Sequence, residues 1–302
     1  MTNYSIGVEI EVCVEPHKVR PPLSDKHALY YEKLAAALRN RGLKAKANDL
    51  QSYRKYPDNY RRWWITRDGS LQGTRNTIPM EAVSPVMQVR GGWEHEIDTY
   101  WAAMRAVFHM PQRDDSCGSH VHISKGLNQR FSLAQLKIIA YGVVFYEPLI
   151  KGLLMPCRVG NRFCEPNGQQ ARLLCQNNTH AARAQLIAGA TSEAALRDIM
   201  QDNKYVLWNF SNIVPGETGT IEFRGGRGLR GEVRTKRWIT FAVAFLHALL
   251  TMDDIASPGA TGLQAWTTKA LYTAIKDAAA QLGMGQHLPT NHKVLNETQP
   301  SS

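Results

Sequence analysis

The chain has 302 residues, of which 43% are hydrophobic and 21% charged, the composition of a soluble globular protein with room for one large domain or two small ones. Lys and Arg number 36 against 26 Asp and Glu, for a formal charge of +10. That excess favours acidic ligands such as nucleotides, phosphates or nucleic acid without choosing among them.

In the first fifteen residues Ile6, Val8, Ile10, Val12 and Val14 alternate with Gly7, Glu9, Glu11, Cys13 and Glu15. The alternation predicts a half-buried strand with Glu9 and Glu11 on one face, their carboxylates close enough to share a divalent cation. Hard oxygen ligands suit Mg²⁺ or Mn²⁺. Glu15 to Ser24 reads as a loop and Ser24 as the cap of a helix from about Asp25 to Arg41, stopped by Gly42. A short strand at Leu43–Ala47 and a polar segment rich in Tyr and Arg from Asp49 to Arg62 follow.

Arg61 to Arg67 predicts a strand leading into the turn at Asp68-Gly69-Ser70. Ile78–Val83 predicts another, carrying Glu81. Trp93 to His109 has helical spacing, and Pro111 to Ser116 connects it to Cys117-Gly118-Ser119-His120-Val121-His122-Ile123. As a strand, this last stretch presents His120 and His122 on one face. Ser132 is placed to cap a long helix from Leu133 to about Leu154, with bends marked by Gly142 and Pro148.

Helices are expected around His180–Ala188 and Ser192–Asn203, then a strand at Val206–Phe210. Thr220–Arg224 resumes alternation, with Glu222 and Arg224 on one side, and Gly225, Gly226, Gly228 and Gly231 are expected to break the regular structure. Two helices, about Val233–Leu250 and Thr267–Leu282, complete a catalytic domain expected over 1–283, with an irregular or disordered tail over 284–302.

Cys13, Cys117, Cys157, Cys164 and Cys175 are odd in number and widely spaced, which argues against a disulfide framework and for a reducing, cytoplasmic setting. The absence of a CxxC pair argues against a thiolate zinc site. The N-terminus predicts no secretory signal, and the longest apolar stretch, Ile138 to Leu154, is too short and too charged to span a membrane.

The polar faces of the expected strands carry Glu9, Glu11, Glu81, His120, His122, Glu222 and Arg224. Gathered in one cavity, they could hold divalent ions and, through them, polyphosphate oxygens. Between Glu222 and Arg237 the cluster of Arg224, Arg227, Arg230, Arg234, Lys236 and Arg237 suits phosphate contact or an ordinary solvated surface. Neither a Walker sequence nor a Rossmann fingerprint is present, and no HExxH motif occurs. The aromatic and basic stretch from Tyr53 to Trp64 suits single-stranded RNA or the edge of a core. A metallohydrolase using His120 and His122 is the other alternative.

Taken together and in order, GVEIE, DGS, MEAVSP, CGSHVHI, CRVGNRFC, NKYVLWN and TIEFRGG resemble the putative amidoligase family, a branch of the superfamily of glutamine synthetase and glutamate–cysteine ligase. The resemblance spans about Tyr4 to Arg224. It implies an α+β fold with a curved antiparallel sheet whose concave side forms the active site. It further implies a ligase that uses ATP and Mg²⁺ or Mn²⁺ to join a carboxylate-bearing and an amine-bearing substrate, whether small molecule, peptide or protein.

On this reading Glu9, Glu11, Glu81 and Glu222 hold metal, with His120 and His122 adding ligands or phosphate contacts. Arg162 and Arg224 stabilise phosphoryl charge, Lys204 and Asn209 contact the nucleotide, and Asp68 orients or deprotonates the amine. The chain is much shorter than most glutamine synthetases, so their ammonium and glutamate sites do not carry over.

Overall fold

Every second residue of the first strand is apolar, so one of its faces can be buried continuously, and Ile6, Val8, Ile10, Val12 and Val14 are all at most 1% exposed. In the computed structural model, which describes residues 3–18, 27–49, 52–53, 57–74, 76–110, 114–251 and 267–295, this strand, β1 (Ser5–Val14), lies in the middle of a mixed sheet. It is followed by α1 (His27–Arg39), β2 (Ala45–Ala47), β3 (Trp63–Thr66), β4 (Ile78–Val83), β5 (Met87–Gln88), α2 (Trp93–Val107) and β6 (Gly118–Ser124). Then come α3 (Leu133–Phe145), α4 (Glu147–Lys151), α5 (Asn167–Gln170), α6 (Arg172–Gln176), α7 (His180–Ala188) and α8 (Glu193–Met200). The chain continues through β7 (Trp208–Asn209), β8 (Ile221–Arg227), α9 (Glu232–Thr251) and α10 (Thr268–Gln281).

The eight strands run in the order β2-β3-β4-β1-β6-β8-β7, with β5 pairing to β1. The fold is α+β, as expected, but the sheet is not wholly antiparallel: β2 pairs β3 in parallel. The long connection between these strands returns the chain to the end at which it began, which a parallel pair requires. No described helix is long and apolar enough to cross a membrane.

The chain packs as two compact units. The N-terminal unit is built from Ser5–Val121 and Gly226–Lys236, the C-terminal unit from Met1–Tyr4, His122–Gly225 and Arg237–Ser302. In the N-terminal unit β1 and β4 are antiparallel, Glu11 opposite Glu81 and Cys13 opposite Pro79. β4 in turn pairs β3 with Thr66 opposite Glu81. Trp63 stacks on Tyr100 of α2 at 4.4 Å between ring centroids, and its indole N–H donates to Glu96 at 2.9 Å. α1 stops at Gly42, whose φ of 85° supplies the left-handed residue that ends the helix. The expected cap, Ser24, lies outside the described residues.

The glycines of β8 do not break it, contrary to expectation; the strand runs on through Arg227. Glycine serves close approach here rather than a turn. A Cβ on Gly226 would stand 2.1 Å from Ser119 Oγ and 2.8 Å from its carbonyl oxygen. Gly226→Ala is therefore expected to destabilise the protein by about 1–3 kcal/mol through overpacking, measurable as a lowered urea midpoint; an unchanged midpoint would mean that the two strands separate at little cost.

The C-terminal unit departs from the expected single helix over Leu133–Leu154. α3 begins at a full capping box between Ser132 and Gln135, but it ends at Phe145, and Pro148, which lacks an N–H, sits in the first turn of the separate helix α4. Gly142 marks no bend; a Cβ there would meet Leu249 Cδ2 at 2.4 Å. Beyond α10, residues 283–295 form two short turns. Leu295 is fully buried, Tyr272 donates to Pro289 O at 2.7 Å, and residues 296–302 lie outside the description.

Glu147 is buried at the start of α4 and accepts from Gly168 N at 3.1 Å. Burial pushes its carboxyl up to about 7, against the pull of the Gly168 and Asn167 amides, Arg183 and Lys151. A raised folded-state value gives stability that is complete below the ordinary carboxylate range near 4.5 and is lost as pH rises to about 7. The loss amounts to about 3 kcal/mol. Glu147→Gln is expected to shrink the difference in unfolding free energy between pH 4 and pH 8 by that order; an undiminished difference would place the titration elsewhere.

Candidate active site

Alternation along β1 puts Glu9, Glu11 and Cys13 on the face opposite the apolar row. Pairing to β4 sets Glu81 directly across from Glu11, and directly opposed residues of an antiparallel pair share a face. Both carboxylates are buried, Glu11 at 5% exposure and Glu81 at 4%. β6 adds His120, 3% exposed. Its Nδ1 lies 2.7 Å from Glu9 Oε2 and its Nε2 3.8 Å from Glu11 Oε1. Gly118 N donates to the other oxygen of Glu11 at 2.6 Å. Three carboxylates and one imidazole thus gather in the N-terminal unit.

Tyr53 belongs beside them, a neighbour that sequence reasoning missed. Its hydroxyl is held well above the usual phenol range, first by burial and then by electrostatic repulsion from Glu9, Tyr60 and Glu81. Its ring packs on Tyr60 at 5.0 Å and Trp64 at 5.6 Å. Among the described residues of the aromatic and basic stretch, Trp63 and Trp64 are fully buried, so these two rings belong to a core and offer no stacking surface to RNA. Asp68 is half-buried in the turn after β3, its Oδ1 accepting from Ser70 N at 2.5 Å.

The other candidates lie in the C-terminal unit. Glu222 and Arg224 share a face of β8 and meet there, Arg224 Nη1 donating to Glu222 Oε1 at 2.5 Å, both residues buried. Asn209 of β7 sits opposite Glu222 in register and donates to its second oxygen at 2.7 Å. Asn209 Oδ1 accepts from Gln201 at 2.7 Å, so this side chain serves as a buried support for Glu222. His122, half-buried, lies with Nδ1 3.4 Å from Thr220 Oγ1.

Arg162 and Lys204 are exposed and lie over neighbouring rings, Arg162 at 4.7 Å from the Phe163 centroid and Lys204 at 5.5 Å from that of Tyr205. The two rings meet edge to face at 5.6 Å. The Phe163 carbonyl accepts from Arg224 Nε at 3.2 Å, tying this cationic ledge to the buried ion pair.

Clustered carboxylates and an imidazole on one face of an open α+β sheet are donors able to hold a divalent cation. Over residues 2–246 the chain matches the model of a family described as putative amidoligase enzyme, and it belongs to that family, whose activity is of the ligase kind. No curated protein gives a significant match.

Proposed function

We propose that the protein is an ATP-dependent carboxylate–amine ligase. A substrate carboxylate oxygen attacks the γ-phosphorus of ATP, ADP leaves, and an amine then attacks the acyl carbon, loses a proton and expels phosphate. The observation that carries this reading is the gathering of Glu9, Glu11, Glu81 and His120 from three strands of the N-terminal unit.

The donor set fits Mg²⁺ or Mn²⁺. Buried carboxylates facing each other across β1 and β4 repel unless a cation lies between them, and their oxygens are hard ligands. Glu9, Glu11 and Glu81 would hold the ion, which when bound neutralises phosphate oxygens. Glu9 fixes the ring of His120 through Nδ1, leaving Nε2 directed to the Glu11 side of the cluster.

In the C-terminal unit we assign Arg162 and Lys204 to phosphate contact. Arg224 contributes positive charge, and Glu222 and Asn209 set its position. Asp68 is the candidate to orient the amine and take its proton. Catalysis of this kind rests on positioning and electrostatics.

The test is mass spectrometry of a metabolite mixture incubated with the protein, ATP and Mg²⁺. The expected result is a product equal to acid plus amine minus water, with ADP and phosphate formed in equal amount. Cleavage of a substrate without ATP would favour a hydrolase, and tight RNA binding without nucleotide turnover a binding protein; either would overturn the assignment.

A further inference from the structure

Two buried thiols and a carboxylate stand together in the N-terminal unit and have no part in the reaction proposed above. Cys13 follows Glu9 and Glu11 on the same face of β1, Cys117 immediately precedes β6, and Asp114 lies in the turn before it. Cys13 Sγ and Cys117 Sγ are 3.8 Å apart. A carboxylate oxygen of Asp114 completes a group whose ligand atoms all lie within 4.8 Å of one another.

The spacing is informative. Two thiolates bound at about 2.3 Å to a tetrahedral ion stand roughly 3.8 Å from each other, the distance these sulfurs already hold. The thiols are 5% and 3% exposed and packed against Leu71, whereas Asp114 is half-exposed and provides the way in. Asp114 Oδ1 accepts from Ser116 N at 2.9 Å and from Ser116 Oγ at 2.6 Å, and its carbonyl accepts from Cys117 N at 3.1 Å. The carboxylate is therefore oriented by its neighbours, as metal-binding carboxylates are. Gly228 carries no Cβ at a point where one would stand 3.0 Å from Cys117 Cβ, so the loop can close on the cysteine.

We propose that Cys13, Cys117 and Asp114 form a second metal site in the N-terminal unit, selective for a soft tetrahedral divalent cation of the zinc class. Sulfur donors separate it from the oxygen-rich cluster beside it: thiolates select zinc, and carboxylates without sulfur select magnesium. Three protein ligands leave the fourth position of the tetrahedron to water. The site also bears on its neighbour. Gly118, next in the chain to Cys117, donates the hydrogen bond that orients Glu11, so an ion held by Cys117 would fix the position of that donor.

The test uses the full-length chain, reduced with a phosphine, stripped with a chelator and titrated with Zn²⁺ or Co²⁺. With cobalt, sulfur-to-metal charge-transfer absorption and the visible bands of a tetrahedral ion should grow until one equivalent occupies the sulfur site, unaffected by excess Mg²⁺. Cys13→Ser and Cys117→Ser should each weaken binding by about 100-fold or more, and Asp114→Asn by roughly tenfold with the charge-transfer band retained. The Asp114 variant and the wild-type spectrum keep the test decisive if a cysteine variant fails to fold. Absence of the charge-transfer band, or equal affinity in folded cysteine variants, would overturn the proposal.

Discussion

Glu11→Gln is expected to lower ATP-dependent product formation by about 100-fold or more while leaving the protein folded. The substitution keeps the shape of the side chain, and the amide oxygen can still accept from Gly118 N, so the backbone contact at 2.6 Å survives. What it removes is one of two buried charges that face each other across β1 and β4. Without metal, the loss of that repulsion should leave stability unchanged or raised. With metal, the stabilisation given by Mg²⁺ or Mn²⁺ should fall, because an ion that binds only the folded state raises stability by an amount set by its affinity.

Unfolding curves of wild type and variant, each with and without Mg²⁺, separate the possibilities. If Mg²⁺ stabilises both proteins equally, Glu11 is not a ligand, whatever happens to activity. If the metal-free variant is markedly less stable, the carboxylate serves the fold.

This carboxylate was legible because its position depends only on local periodicity. The two-residue repeat of β1 sets Glu9 and Glu11 on one face, and the apolar run Ile78–Val83 has the composition of a buried strand, so Glu81 was found with it. The relation of His120 to Glu9 depends on strand order, which no local pattern encodes; the family resemblance implies only that both belong to the concave, active-site side of the sheet. Tyr53 escaped notice because a tyrosine in a polar, Arg-rich segment carries no sign of what lies beside it.

The glycines of β8 misled for a related reason. Glycine is the residue of turns and equally of close backbone approach, and only Ser119, from another strand, decides between them at Gly226. The same limit applies to Cys13 and Cys117. Searching for paired cysteines close in sequence passes over two sulfurs that are 104 residues apart in the chain and 3.8 Å apart in space.

Arg224→Met should cost about 3–5 kcal/mol of stability, because it takes the guanidinium away from a carboxylate, that of Glu222, which stays buried. Glu222→Gln combined with Arg224→Met should lose less than Arg224→Met alone, since the second change neutralises the buried carboxylate; with Glu222→Gln also measured alone, the departure of the double variant from the sum of the two single losses measures the coupling of the pair. Additive losses would mean that the ion pair contributes little and that Arg224 acts through its bond to Phe163 O, at 3.2 Å. This cost also governs how activity data must be read. A methionine variant that cannot use ATP has lost its fold support as well as its charge, so the informative change is Arg224→Lys. Lysine keeps the positive charge beside Glu222 but gives up the planar fork that suits phosphate. A lysine variant of near wild-type stability with a sharply lowered kcat would assign Arg224 to the phosphoryl group, and one that loses stability and activity in proportion would confine it to the architecture of β8.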